Sequence, residues 1–291
     1  MIDIIKYGII FNLSSSLQNI FFKFNDIDAI TTSLLSSIIV ILTTVFTNKD
    51  IQNDMINNHI LDYFNKDGFI LSLTGSIQYI LGIYLLKKLP LSLTIPISSS
   101  WLMISIIFEK ILLDIDFNYI KLFIMLFFML GLILVNYHHF KNKKGVNINY
   151  LSIVLLLISV SCKAFQQIYI KFVSNKYSTS KIILIDFLWG LIFNILLCII
   201  NFKDVFKSLN KIKSILYLFI VVFITQNLKV YSKFNGIKKI NIDLWDLISN
   251  LTIILSIIFG YICFNEKINI MQIIGSIIMI FSIYTLSKIK T

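Results

Sequence analysis

Long apolar runs alternate with short polar stretches along the whole chain, and most of the polar stretches carry lysine. Ten runs are marked, at residues 5–22, 29–46, 69–86, 91–113, 119–137, 150–173, 182–200, 215–234, 242–264 and 270–286. Crossing a bilayer takes about 20 apolar residues, with a range of about 17–25. Backbone groups in lipid must bond within their own segment, so runs of this length predict helices. A β-barrel would show short segments of alternating polarity, and none is seen. The stretch 50–64 is polar but carries Ile51, Met55, Ile56, Ile60 and Phe64 at helical spacing. It is either a helix lying on the membrane surface or a solvated loop. The first run has no small-residue cleavage site and is read as a span rather than a signal peptide.

The pattern repeats. Gln18-Asn19-Ile20-Phe21-Phe22-Lys23-Phe24 returns as Gln166-Gln167-Ile168-Tyr169-Ile170-Lys171-Phe172, 148 residues later. Gln78 and Gln226 are also 148 apart, while Lys87-Lys88-Leu89 and Lys238-Lys239-Ile240 are 151 apart. Ile104-Ser105-Ile106-Ile107-Phe108 likewise returns as Leu255-Ser256-Ile257-Ile258-Phe259. Several matches in one order at nearly one offset predict two copies of one unit. These are a first five-helix repeat over 1–140, a basic linker over 141–149 and a second repeat over 150–291. Five crossings bring the chain out on the opposite side, so the second copy is inserted upside down. The expected fold is an all-α membrane protein of ten transmembrane helices, an inverted repeat of two five-helix units.

Composition agrees with that class: 57% of residues are hydrophobic and only 14% charged, against roughly 45–50% and 25% in soluble domains. All 26 basic residues are lysine. No guanidinium fork exists, so any bound anion is gripped by ammonium, amide or backbone. The net charge of +11 comes from lysines at the ends of apolar runs, which snorkel to headgroups, so nucleic acid is not an expected partner. With the first residue inside, ten loop lysines fall inside and eleven outside, so the positive-inside rule gives no orientation. Cys162, Cys198 and Cys263 lie inside apolar runs and are read as small apolar residues, not metal ligands or disulfides. No metal site, cofactor motif or catalytic motif is found, and enzyme activity is not expected.

The second copy reads Ile258-Phe259-Gly260-Tyr261-Ile262-Cys263-Phe264-Asn265-Glu266-Lys267, then Gln272-Ile273-Ile274-Gly275. An apolar helix, a short acidic turn and a helix with glycine, in a five-plus-five repeat with a lysine closing each first span, resemble the EamA-like branch of the drug/metabolite transporter superfamily. The first copy keeps Glu109-Lys110 and Gly131 but lacks the glycine before its acidic turn. Leu89-Pro90-Leu91-Ser92 also resembles small multidrug transporters. The resemblance implies a central cavity lined by spans 1, 3, 4, 6, 8 and 9, with 5 and 10 outside.

Ionisable groups inside a membrane usually face a cavity or a partner. On the ninth span Asp243, Asp246 and Asn250 share one helical face beside Trp245. The sixth carries Lys163 with Gln166, the eighth Gln226, Asn227 and Lys229, the first Asn12, Ser15 and Asn19, the third Gln78 and the fourth Ser99. These are the expected substrate-binding residues. For several a structural role stays open: a first-turn acid at Asp243, and an ion pair of Lys163 with Asp243 or Asp246. Lys23 and Lys171 are read as interfacial anchors, and Asp186 and Trp189 as interfacial residues. The expected function is secondary active transport of a small polar metabolite, an amino acid or related zwitterion, by alternating access, with a proton as an optional coupling ion. The alternatives are an exporter of organic cations or drugs, and a non-transporting integral membrane protein. The expected location is the plasma membrane, as a monomer or homodimer.

Overall fold

The structure, a computed structural model, describes residues 2–24, 26–56, 62–88, 101–115, 118–141, 150–264 and 268–289. Among them the regular elements are helices, and no strand occurs. In chain order they are α1 (Ile2–Phe24), α2 (Ala29–Thr47), α3 (Lys49–Ile56), α4 (Lys66–Lys88), α5 (Trp101–Leu113), α6 (Tyr119–Lys141) and α7 (Tyr150–Val173). Then follow α8 (Thr179–Ile200), α9 (Phe202–Leu209), α10 (Ile212–Lys239), α11 (Ile242–Ser249), α12 (Thr252–Phe264) and α13 (Ile270–Lys288). Seven helical runs among the described residues are long and apolar enough to cross a membrane: 29–47, 66–85, 151–173, 179–200, 212–239, 242–259 and 270–288. The expected first span lies in α1, the fifth in α6, and only 101–113 of the fourth is described. The stretch 50–64 starts as helix α3, with Ile51 buried.

Buried and exposed residues are arranged for lipid. Phe123, Ile133, Ile200, Ile220 and Phe281 face outward, while Gln18, Ser36, Gln167, Asp186 and Asp246 are buried. A soluble protein does the reverse with its polar groups. Polar side chains then bond the backbone or one another, as Ser36 and Ser37 do to the carbonyls four residues back.

Helix packing pairs up. α1 packs on α10, and α7 on α4; α4 packs on α8, and α10 on α2; α1 packs on α12, and α7 on α5. Exchanging corresponding spans of the two halves turns each pair into its companion, and the α2–α8 and α6–α13 pairs into themselves. Trp101 to Thr252 and Tyr119 to Ile270, which begin α5 and α12 and then α6 and α13, are both steps of 151 residues. α6 and α13 cross at Gly131 and Gly275, where a Cβ on either would run into the other's carbonyl oxygen. Small residues permit this approach in a medium that supplies no hydrophobic drive between helices.

The expected ninth span, 242–264, is not one helix. It breaks at Asn250–Leu251 into α11 and α12. Side chains take the carbonyls that the break frees. Asn250 Nδ2 and Ser249 Oγ donate to Asp246 O at 2.8 and 2.9 Å, and Thr252 Oγ1 to Ser249 O at 2.9 Å. From α1, Asn12 Nδ2 donates to Ile248 O at 2.8 Å and Ser16 Oγ to Thr252 O at 3.0 Å. A break at membrane depth is tolerated where the protein itself satisfies the backbone.

Candidate functional site

Between the halves lies a cavity of about 340 Å³, walled by α1, α2, α4, α7, α8, α10 and the α11–α12 break. Pockets that bury a small ligand start near roughly 300 Å³. Spans 2 and 7, which the expectation did not name among the lining spans, therefore join the wall. Ser33, Ser36 and Ser37 on α2, and Asp186 and Gly190 on α8, line it. Small side chains let these helices close in: Asn194 Nδ2 donates to Ser37 Oγ at 3.0 Å, and a Cβ on Gly190 would sit 3.2 Å from Ser72 Oγ.

Seven of the sequence-predicted residues line this cavity: Ser15, Gln78, Lys163, Gln166, Gln226, Lys229 and Asn250. Five do not. Asn12 is spent on the helix break, with its Oδ1 also accepting from Thr252 Oγ1 at 2.7 Å. Asn227 binds α10 to α2, accepting from Thr43 Oγ1 at 2.6 Å. Trp245 is fully buried against Phe11, ring centroids 5.3 Å apart, and over Gly236, where a Cβ would collide with the indole. Asp243 pairs with Lys121 of α6 at 2.5 Å, and Asp246 is fully buried near Glu109 and Asp243. Ser99 and the Asn19 side chain lie outside the described residues.

Two charged cavity residues were missed or misplaced. Asp186, expected at the interface, is 7% exposed and faces the cavity. Lys233 also lines it. Its signal was legible: Gln226, Lys229 and Lys233 follow i, i+3, i+7 and share one face of α10. The cavity charges are thus Lys163, Lys229, Lys233 and Asp186, all from the second half; α1, α2 and α4 contribute hydroxyls and amides.

Neutral groups hold the ammoniums. Lys229 Nζ donates to Gln18 Oε1 at 2.7 Å, and Gln18 Nε2 donates in turn to Gln226. Lys233 Nζ donates to Gln166 Oε1 at 2.7 Å, while Gln166 Nε2 donates to Asp186 Oδ2 at 3.5 Å and Leu71 O at 3.3 Å. Gly75 makes room for that amide, which a Cβ would strike. Lys163 Nζ lies 4.2 Å from the centre of the Trp101 ring. The expected ion pair of Lys163 with an aspartate is not formed, since among the described residues no carboxylate lies within 4.0 Å of it.

On one face of the bundle, where α7 and α10 end and α4, α6, α8 and α11 begin, side chains tie the helix ends together. Asp67 accepts from Tyr169 Oη at 2.6 Å, Tyr177 Oη at 3.1 Å and Lys176 Nζ at 3.5 Å. Burial and the bond to Asp67 push the Tyr177 hydroxyl above the ordinary tyrosine range, so it stays a donor. Lys171, expected as a lipid anchor, instead donates to Ile237 O, Lys238 O and Ile240 O at 2.9, 3.0 and 3.3 Å. It caps the carbonyl end of α10, where the helix dipole favours a cation. Lys239 Nζ donates to Tyr7 Oη at 3.2 Å on the same face.

Residues 150–288 match the model of the EamA-like transporter family. No relative matches among the curated proteins. Among solved structures the chain is similar to one titled only as the crystal structure of a protein, at 11% identity and a TM-score of 0.70, over 97% of this chain and 96% of that one. At that identity the likeness concerns the fold, and it extends over both halves. With its apolar spans and buried polar interior, this chain is a membrane protein whose second half, residues 150–288, is similar to the EamA-like transporter family.

Proposed function

We propose that the protein is a secondary transporter that moves a small polar metabolite through the central cavity by alternating access. The chain acts as two five-span units, 1–140 and 150–291, inserted in opposite senses, in the plasma membrane. The exchange of helix pairs between the halves supports that division. The single observation that carries the reading is the cavity between the halves, walled in part by the broken α11–α12 helix. Discontinuous helices at the midplane are where transporters place substrate, because freed backbone groups and unfilled space coincide there. In the second state the contacts around Asp67 part and those at the opposite face close.

For an amino acid or similar zwitterion, the lysines hold the carboxylate and Asp186 holds the ammonium. Export of organic cations finds less support, since the wall holds three lysines against one aspartate. The test is uptake into proteoliposomes from four pools of labelled solutes: carboxylates, phosphate esters, amino acids and organic cations. Protein-dependent uptake from any pool is expected. Cysteines placed at Asp67 and Tyr177 and bridged by a bismaleimide should then stop it, with the unbridged variant still active. No uptake from all four pools sinks the proposal.

A further inference from the structure

We infer that the cavity is built for a small organic anion, a solute whose carboxylate or phosphate gives it a net negative charge. This deepens the transport reading and rests on it only for the word substrate. Three ammoniums and one carboxylate line one cavity. Among the described residues none of the three ammoniums has a carboxylate within 4.0 Å. Each leans on a neutral group instead: Gln18 for Lys229, Gln166 for Lys233, and the Trp101 ring for Lys163. Buried charges are ordinarily paired, because leaving one alone in a low dielectric is costly. Here the amide of Gln166 stands between Lys233 and Asp186 and contacts both.

The neutral lining suits an anion's remaining groups. Ser15 Oγ, Ser72 Oγ and Gln167 Oε1 are buried and have no hydrogen-bond partner among the described residues, and the two serines line the same space as donors. An acid group with two or three oxygens can take ammoniums from α7 and α10 together with these hydroxyls. A monovalent cation would meet three like charges and one acid. The cavity volume of about 340 Å³ limits the solute to a small molecule.

The test is thermal unfolding of the purified full-length protein in detergent, with succinate, glycerol 3-phosphate, leucine and tetraphenylphosphonium as probes at matched ionic strength. A ligand that binds the native state raises its stability by mass action. The expected result is stabilisation by succinate, glycerol 3-phosphate or both, and the pattern tells a carboxylate site from a phosphate site. Lys229→Gln and Lys233→Gln should each weaken the half-maximal anion concentration at least tenfold. Lys233→Arg should retain the effect, and the peripheral Lys213→Gln should match the unaltered protein. Stabilisation by leucine or tetraphenylphosphonium with neither anion effective overturns the inference, as does an anion effect that survives both glutamine variants. No shift with any probe overturns it as well. Uptake of amino acids or cations alone would keep the transport reading and lose the anion. Anion binding without uptake from any pool would do the opposite.

Discussion

The Tyr169 hydroxyl donates to Asp67 Oδ1 at 2.6 Å and ties the end of α7 to the start of α4. Tyr177 and Lys176, from the turn that follows α7, converge on the same carboxylate. One acid on the first half thus gathers three donors from the second. Asp67→Asn keeps the shape and removes the charge. Hydrogen bonds to charged groups contribute about 1.5–3 kcal/mol each, and neutral ones about half that. The variant should unfold at lower temperature in detergent by an amount equivalent to about 1–2 kcal/mol. An unchanged unfolding temperature would mean that this face is not held here.

The α6–α13 crossing leaves no room for a side chain at Gly131 or Gly275. Inserting methylenes into a packed site costs about 1–3 kcal/mol, or more where the obstacle is backbone. Gly275→Leu should lower thermal stability by at least that much. Gly82→Ala is the control, because a Cβ there meets nothing within 4 Å. Equal stability of the two variants would refute the close crossing.

Asn12 bonds two groups at the α11–α12 break, Ile248 O and Thr252 Oγ1, and one on its own helix, Gly8 O. Asn12→Leu leaves the Ile248 carbonyl without that donor. An unsatisfied buried polar group costs about 1–3 kcal/mol. The expected loss of stability should appear together with faster amide hydrogen exchange around 248–252. Protection left intact there would show that α1 does not support the break.

Asp28 caps α2, accepting from Ile30 N at 2.9 Å, Thr31 N at 2.8 Å and the Thr31 hydroxyl. Burial opposes its charge, but the bonds from Thr31, Ser208 and the backbone prevail and hold the carboxyl below its ordinary 3.8. The sign follows from linkage. A lowered folded value gives stability that is full above the ordinary value and is lost as pH falls through the folded one. The difference in unfolding temperature between the unaltered protein and Asp28→Ala should therefore be constant near neutrality, equivalent to about 0.5–2 kcal/mol, and shrink in acid. A difference that grows in acid would contradict it.

The helical, membrane-spanning class was written in the sequence because lipid leaves few choices. A run of about 20 apolar residues must satisfy its own backbone, and only a helix does so. The steps of 148 and 151 residues were equally legible, and the starts of α6 and α13 are 151 residues apart. Polar residues inside apolar runs marked buried chemistry, and seven of those singled out line the cavity. Which polar residue faces the cavity and which faces a neighbouring helix was not legible. Asp243 and Asp246 share a helical face with Asn250, yet Lys121 of α6 claims the first, the second lies fully buried off the cavity wall, and Asn250 reaches the cavity at the break. Periodicity fixes direction around one helix axis; the neighbour on that side is set by packing between distant segments. The break at Asn250 was hidden for the same reason, since donors from α1, more than 230 residues away, hold it open. Sequence alone determined that charges would be buried in a helical bundle. Only the tertiary structure decided that three lysines and Asp186 would share one space, because that depends on how α7, α8 and α10 meet.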